Sequence, residues 1–533
     1  MKPSPAPLAV GLLAALTLAF FLFRPSPAPS PSISPDSHPT PLTASPTTPT
    51  LASSERRGTN NDLASWLTQI ASTPVSDFRK LMEDALALPD ASLRAAVVRA
   101  LVEAWIGADI RDFNQYFASL EVLGNEAHLG QLVAALQSVL PTLDPAMANS
   151  DAVRALVQRL ITHLVKEDPD QAWNWANTWL PEHSREAALV PIAREFARRS
   201  PTAGLGVVER MVSPLRRMQA MAAVGNVWAK SNPQAALDWA RALPLATERA
   251  MTLNAVLLAV AQDNPQLAAI NLRESEQTMN DQYRRQREAD LAALGLTQID
   301  LVNDPASYEE LVASGGISPP ESPDVELMAD AARVIAEKLA ATDPASATAL
   351  AEAVENPFLN RKTQAGAIAG WAATDPDAAL AHLNLEHPGN TELVAALFEV
   401  WGETDPTSAL ASAAQLGTAQ ERTVARDTAF ATWAAEDPQA AGRYLEALPA
   451  TERSDAAITA VVQALSPLAP QDAWNQAQTI NDPNQRYRAL RTAFAVLATD
   501  QPEVAQSLLA SASLDRQHAE RLEEMLRAVS LTP

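Results

Sequence analysis

The sequence holds no cysteine. That excludes disulfides, thiolate nucleophiles and cysteine-type zinc sites, and it suits an oxidising compartment where stray thiols mispair. Glycine is scarce, at 17 of 533 residues, aromatics make up 5 %, and β-branched runs are few, which argues against sheets. Recognisable chemistry is also missing. Gly315-Gly316 lies in a proline-rich stretch without the strand or lysine of a nucleotide site, and no GxSxG elbow occurs. His382 and His387 are five apart, off a common helical face, and no HExxH accompanies any of the seven histidines. With 63 carboxylates, a chance acidic pair has no diagnostic value. The chain therefore reads as a non-enzyme with no cofactor and no metal.

What is abundant is alanine and leucine, strong helix formers, so the expected fold class is all-α. A chain of this length exceeds the size at which one hydrophobic core stops growing, which leaves several domains or a repeat array. The net charge is −23. Residues 1–60 carry four basic and two acidic side chains, leaving 36 basic against 61 acidic in the remainder. So acidic a surface repels phosphate backbones, and nucleic acid is not an expected partner.

At the N-terminus Lys2 precedes an uncharged apolar run from Leu8 to Phe23, closed by Arg24. Residues 1–24 read as a signal anchor in the inner (cell) membrane, because the prolines after Arg24 disfavour signal-peptide cleavage; the alternative is secretion after a cut near Ser32. The bulk would then be extracytoplasmic, in the periplasm. Residues 25–50 contain nine prolines among Ser and Thr. Such a composition buries no core, so 25–60 reads as a disordered stalk, reaching up to about 100 Å at roughly 3.1 Å per residue.

Beyond the stalk the chain repeats. Pro169, Pro201, Pro233 and Pro265 are spaced by 32 residues; Pro344, Pro376, Pro406, Pro438, Pro470 and Pro502 follow at 32, 30, 32, 32 and 32. Before eight of them stands Asp, Asn or Ser, an N-cap; proline at the first helical position then has no N–H to lose. Each proline is expected to open a helix A of about three turns. Three residues later stands Ala or, once, Gly204, a position that must be tightly packed. A helix B follows, ending in motifs such as Trp371-Ala372-Ala373-Thr374-Asp375-Pro376 and Trp433-Ala434-Ala435-Glu436-Asp437-Pro438. These tryptophans read as core wedges, large beside small. Arg185, Arg217, Arg249, Arg422 and Arg486 recur sixteen residues before the proline, and are expected to bridge to a carboxylate or loop carbonyl of an adjacent repeat.

A two-helix unit of this length resembles the tetratricopeptide-like superfamily of α-solenoids over roughly residues 61–533, although the Trp-Ala-x-x-Asp-Pro ending differs from that family's 34-residue pattern. The resemblance implies a right-handed superhelix of antiparallel two-helix repeats. It also implies a concave, partner-binding groove lined mainly by helix A, without intrinsic chemistry.

The register breaks twice. Residues 61–168 contain Pro74, Ile110 and Pro145 at poor spacing and read as degenerate capping repeats, with Trp105 beginning an early copy. Regular repeats cover 169–265 and 344–533, the latter ending in a charged cap. Between them, Pro265 to Pro344 is 79 residues, about 15 more than two units; 266–343 is expected to be an insertion with one long helix and a Pro/Gly loop. The basic cluster Arg284, Arg285 and Arg287 on that helix is a candidate partner contact. Six residues after the anchors the side chain is neither uniformly apolar nor polar, which suggests partial exposure. There Trp175, Trp239, His382 and Tyr444 are candidate groove residues, since aromatic anchors dominate interface energetics. The expected function is a membrane-tethered scaffold binding an envelope protein or an extended peptide. The alternative is a cell-wall glycan-binding protein or all-α carbohydrate-active enzyme.

Overall fold

The computed structural model describes residues 63–122, 124–293, 295, 322–449, 452–512, 514 and 516–530. The expected membrane segment and stalk lie outside the described residues, as does most of the Pro/Gly loop. Among the described residues there are 26 α-helices and no strand, and no helix is long and apolar enough to cross a membrane.

The helices α1 (Leu63–Ser72), α2 (Phe78–Leu86), α3 (Ala91–Val122), α4 (Glu126–Val139), α5 (Pro145–Ala148) and α6 (Asp151–Glu167) come first. Helices A and B then alternate: α7 (Pro169–Trp179) with α8 (Glu182–Arg199), α9 (Pro201–Val208) with α10 (Pro214–Ser231), α11 (Pro233–Arg241) with α12 (Ala246–Asp263), and α13 (Pro265–Ala293) with α14 (Ala329–Ala340). The second block pairs α15 (Pro344–Ala353) with α16 (Pro357–Ala372), α17 (Pro376–Glu386) with α18 (Thr391–Thr404), and α19 (Pro406–Ala413) with α20 (Ala419–Glu436). It closes with α21 (Pro438–Ala447) and α22 (Asp455–Leu465), α23 (Pro470–Ala477) and α24 (Pro483–Asp500), and α25 (Pro502–Ser511) and α26 (Arg516–Ser530). All ten anchor prolines open a helix, and the fold is an all-α solenoid.

The junction from B to A is one residue wide. In nine of the ten junctions the residue before the proline has φ between −151° and −136° and ψ between 63° and 88°. Proline forbids the α conformation there, so helix B must stop. The junction residue's N–H donates to the carbonyl four residues back, at 2.7–3.0 Å, and closes helix B. Its side chain caps the next helix A in seven of the eight polar cases, at 2.9–3.3 Å. Ser200 is the exception: its backbone is more extended and its hydroxyl pairs with Thr202 instead. The Ser346 and Ser408 hydroxyls, followed by the capped amides, hold Asp343 and Asp405 below the usual carboxylate range. Their capping contribution is therefore complete above the ordinary value of about 3.9 and is lost as pH falls through the lower folded value.

Each unit buries the alanine three residues after its proline, from Ala172 to Ala505, completely. At Gly204 a Cβ would stand 2.8 Å from both the Ala193 carbonyl oxygen and the Ala197 Cβ, which explains the one departure from alanine. Successive B helices also pack closely. A Cβ on Gly366 or Gly370 of α16 would overlap the Arg333 or Glu337 carbonyl of α14, and one on Gly402 of α18 would lie 2.8 Å from the Ala429 Cα of α20.

Both breaks in the register have a structural form among the described residues. Helix α14 takes the B position between α12 and α16: the Ala331 N–H donates to Asn254 on α12, and the α16 glycines rest on its other side. The long helix expected over this stretch is α13, with 29 residues. In the N-terminal segment, Asp109 breaks α3 with φ −153° and ψ 90°, and its carboxylate accepts the Arg111 and Asp112 N–H groups. Ile110 thus occupies the place proline holds elsewhere, with Trp105 fully buried five residues before it.

The recurrent arginine acts mostly within its own unit. Arg249, Arg422 and Arg486 donate to the Leu243, Leu416 and Ile480 carbonyls at 2.9, 2.7 and 3.1 Å, tying the end of helix A to helix B. Arg217 does reach the next unit, with Nε 3.6 Å from Glu248. Neighbouring units are instead stapled by carboxylates near the B helices' starts. Glu186 accepts from the Val212 and Ser213 amides, and Asp455, at the equivalent position, from those of Asn481 and Asp482. On α13 buried Glu276 accepts the Asn356 N–H at 2.6 Å, and desolvation raises its carboxyl above the usual range despite that bond.

Three expectations follow. Asn232→Ala removes a junction cap and lowers stability by about 1 kcal/mol, whereas Gln501→Asn supplies a missing cap and raises it by a similar amount, both read from urea midpoints. Gly370→Ala forces α16 off α14 and destabilises by about 1–3 kcal/mol, with hydrogen-exchange protection lost first in those two helices. For Glu276 the raised folded value means stability falls as pH rises above its ordinary value of about 4.3. Glu276→Gln keeps an acceptor for Asn356, so its thermal midpoint should exceed the parent's at pH 7, with the difference closing near that ordinary value.

Candidate functional site

The position six residues after each anchor lies where helix A meets the last turn of the preceding helix B. That explains its mixed character. Trp239 packs on Trp228 with ring centroids 5.5 Å apart, His382 on Trp371 at 5.2 Å, and Tyr444 on Trp433 at 5.2 Å. In these pairs both rings are half-buried. The tryptophans ending helix B are therefore not uniformly core: Trp401 is buried against Phe398, while Trp228, Trp371 and Trp433 are only half-buried.

Trp175 departs from the expected role. It is only 8 % exposed and stacks on Trp179 at 5.7 Å, so it packs inside its unit and offers no surface to a partner. Elsewhere the same position is filled by buried amides: Asn271 receives a 2.7 Å hydrogen bond from Arg241, and Gln476 donates to Glu446 at 2.7 Å, linking adjacent A helices.

The basic cluster on α13 is also divided by the fold. Arg287 is 7 % exposed, so its guanidinium belongs to the interior. Arg284 pairs with Glu355 at 2.9 Å, and Arg285 donates to the Asp281 carbonyl at 3.1 Å. A helix carrying this spacing points one arginine inward for every two at the surface, and the surface ones meet acceptors of the chain itself.

Two concavities stand out among the described residues. One, of about 420 Å³, is lined by Glu182, His183, Glu186, Val212 and Ser213. Its central carboxylate is the Glu186 staple, which the loop amides already occupy. The other, of about 350 Å³, lies among α15, α16 and α17 and contains Trp371, His382, His387, Glu352, Glu386 and Gln364. His387 meets His382 edge-on at 6.1 Å, so the five-residue separation that puts the two off one helical face still brings the rings together where α17 ends. Glu352 from α15 and Glu386 from α17 stand exposed at the lining, and neither forms an ion pair among the described residues. Leu385, beside Glu386, is 76 % exposed.

This cleft gathers one residue the spacing singles out, His382, with Trp371, Glu352 and Glu386, which it does not. A carboxylate among 63 carries no signal of its own, and Trp371 reads as a wedge until its partial exposure is seen. Among the described residues no cluster of His, Asp and Glu has the arrangement of a metal site.

No family model matches the chain, and no curated protein does. Among solved structures it is similar to a protein described as "Circular tandem repeat protein with novel repeat topology and enhanced subunit contact surfaces", at 13 % identity over 86 % of this chain and 88 % of that one, with a TM-score of 0.12.

Proposed function

We propose that the chain is a scaffold or adaptor, held on the inner membrane by residues 1–24 and a Pro-rich stalk, that binds an envelope protein or an extended peptide along its A helices. The observation that carries this reading is the recurring half-buried ring pair at one position of the repeat, with the open cleft at Trp371 and His382. Half-buried rings at equivalent positions of separate units suit a ligand that runs across several repeats and is gripped at intervals. The reading assigns no catalytic role. Extracytoplasmic placement draws support from Lys2, the apolar run Leu8 to Phe23 and the absence of cysteine.

A second reading, glycan binding in the cell wall, is favoured by the solvent-facing parts of Trp228, Trp371 and Trp433. The two part in one experiment: proximity labelling from the full chain in its native envelope, repeated with Trp239→Ala, His382→Ala and Tyr444→Ala combined. A short, reproducible set of labelled proteins that disappears with the triple substitution is expected. An unchanged set removes these rings from the interaction, and tryptophan fluorescence that responds to purified wall fragments but to no protein moves the function to glycan binding.

A further inference from the structure

The chemistry of the cleft narrows the kind of segment that fits it. Its walls carry two carboxylates, Glu352 and Glu386, an amide, Gln364, two imidazoles and the Trp371 ring, and no lysine or arginine lines it. Nearby carboxylates are treated differently by the fold. Glu355 is neutralised by Arg284 at 2.9 Å, Glu392 by Lys362 at 2.8 Å and Glu399 by Arg333 at 3.0 Å. Glu352 and Glu386, which line the cleft with the half-buried Trp371, have no such partner among the described residues.

We propose that this cleft takes the cationic head of an arginine or lysine side chain from an extended peptide, an inference that rests on the scaffold reading above. Two carboxylates presented by different helices, α15 and α17, match the donors of a guanidinium or ammonium, and the Trp371 ring attracts the same cation through its quadrupole. His382, packed on Trp371 at 5.2 Å and met by His387 at 6.1 Å, holds that ring in the lining. A volume of about 350 Å³ is at the small end of the range for ligand pockets, about 300–1,000 Å³, which suits one side chain and its flanking backbone. The excess of 61 acidic over 36 basic residues beyond residue 60 attracts such segments over a distance before the cleft selects among them.

The test uses the purified full chain and a fluorescein-labelled Gly/Ser peptide bearing arginines, with its citrulline counterpart as the uncharged isostere and fluorescence polarisation as readout. Glu352→Gln with Glu386→Gln is compared with Glu436→Gln and Asp500→Asn, which remove the same charge from exposed positions elsewhere, and matching thermal midpoints establish that all fold alike. The expected result is that the arginine peptide binds the parent, that the cleft pair weakens it by about tenfold or more, that the distant pair leaves it unchanged, and that citrulline abolishes the effect. Equal weakening by both pairs overturns the proposal, since only the diffuse field would then be acting. Citrulline and arginine peptides binding alike, and both weakened by Trp239→Ala with Tyr444→Ala, overturn the cation assignment while leaving the scaffold reading intact. Methylguanidinium or spermidine binding through Glu352 and Glu386 with no peptide binding at all keeps the cation site but overturns the peptide as its occupant, while the scaffold reading is decided by the proximity labelling.

Discussion

The structure depends on a single shared residue between helices B and A. Its N–H completes one helix, its side-chain oxygen caps the next, and its carbonyl accepts the N–H of the buried alanine three residues beyond the proline. Because proline fixes the following φ and forbids the α region before it, the backbone at the junction has little choice. Nine junctions agree within about 15° in φ and 25° in ψ, as do the angles at Asp109. A turn that reproduces its angles reproduces the relation between helices, and that is what converts a periodic sequence into a solenoid. Capping is separable from geometry: Ala469 and Gln501 lack a side-chain cap and still hold the same angles.

Most of this was legible because it is local. Proline spacing, the cap before it and the small residue after it concern groups within one turn of each other, and their physics does not wait for tertiary contacts. The place of α14 was illegible for the opposite reason. Nothing in residues 265–344 says that α14 will fill the B position between α12 and α16; that follows from Asn254 reaching Ala331 and from glycines on α16 meeting carbonyls on α14. The arginine sixteen residues before the proline was visible as a pattern, but its partner was not. A carbonyl in its own A–B turn is within reach of the same side chain as a carboxylate next door, and the turn carbonyl wins at Arg249, Arg422 and Arg486.

The candidate site divides along the same line. Mixed chemistry at the sixth residue after the anchor suggested partial exposure, which holds at Trp239, His382 and Tyr444 and fails at Trp175, Asn271 and Gln476, because whether a given side chain faces solvent depends on what the preceding helix B offers. A tryptophan at the end of B leaves room for a ring at Trp239, His382 or Tyr444 to lean against it. Where Leu164 ends helix B, Trp175 sinks against Trp179 instead. The two positions are thus read as a pair, eleven residues apart and on different helices, which no single-position pattern displays.

This coupling explains why recognition would concentrate at one place in so regular an array. Repeats that fill the pair with Val260 and Asn271, or Leu465 and Gln476, devote it to joining units, through Arg241 or Glu446. At Trp371 and His382 the pair is aromatic on both sides, and the neighbouring carboxylates that could have been consumed by arginine, as Glu355 and Glu399 are, are left facing the opening. An unpaired carboxylate on a surface has no stabilising task, since even exposed ion pairs contribute only about 0–1 kcal/mol. Two of them from different helices, beside a ring held by its neighbour, therefore form the position along the solenoid where charge, shape and aromatic surface converge without serving the fold.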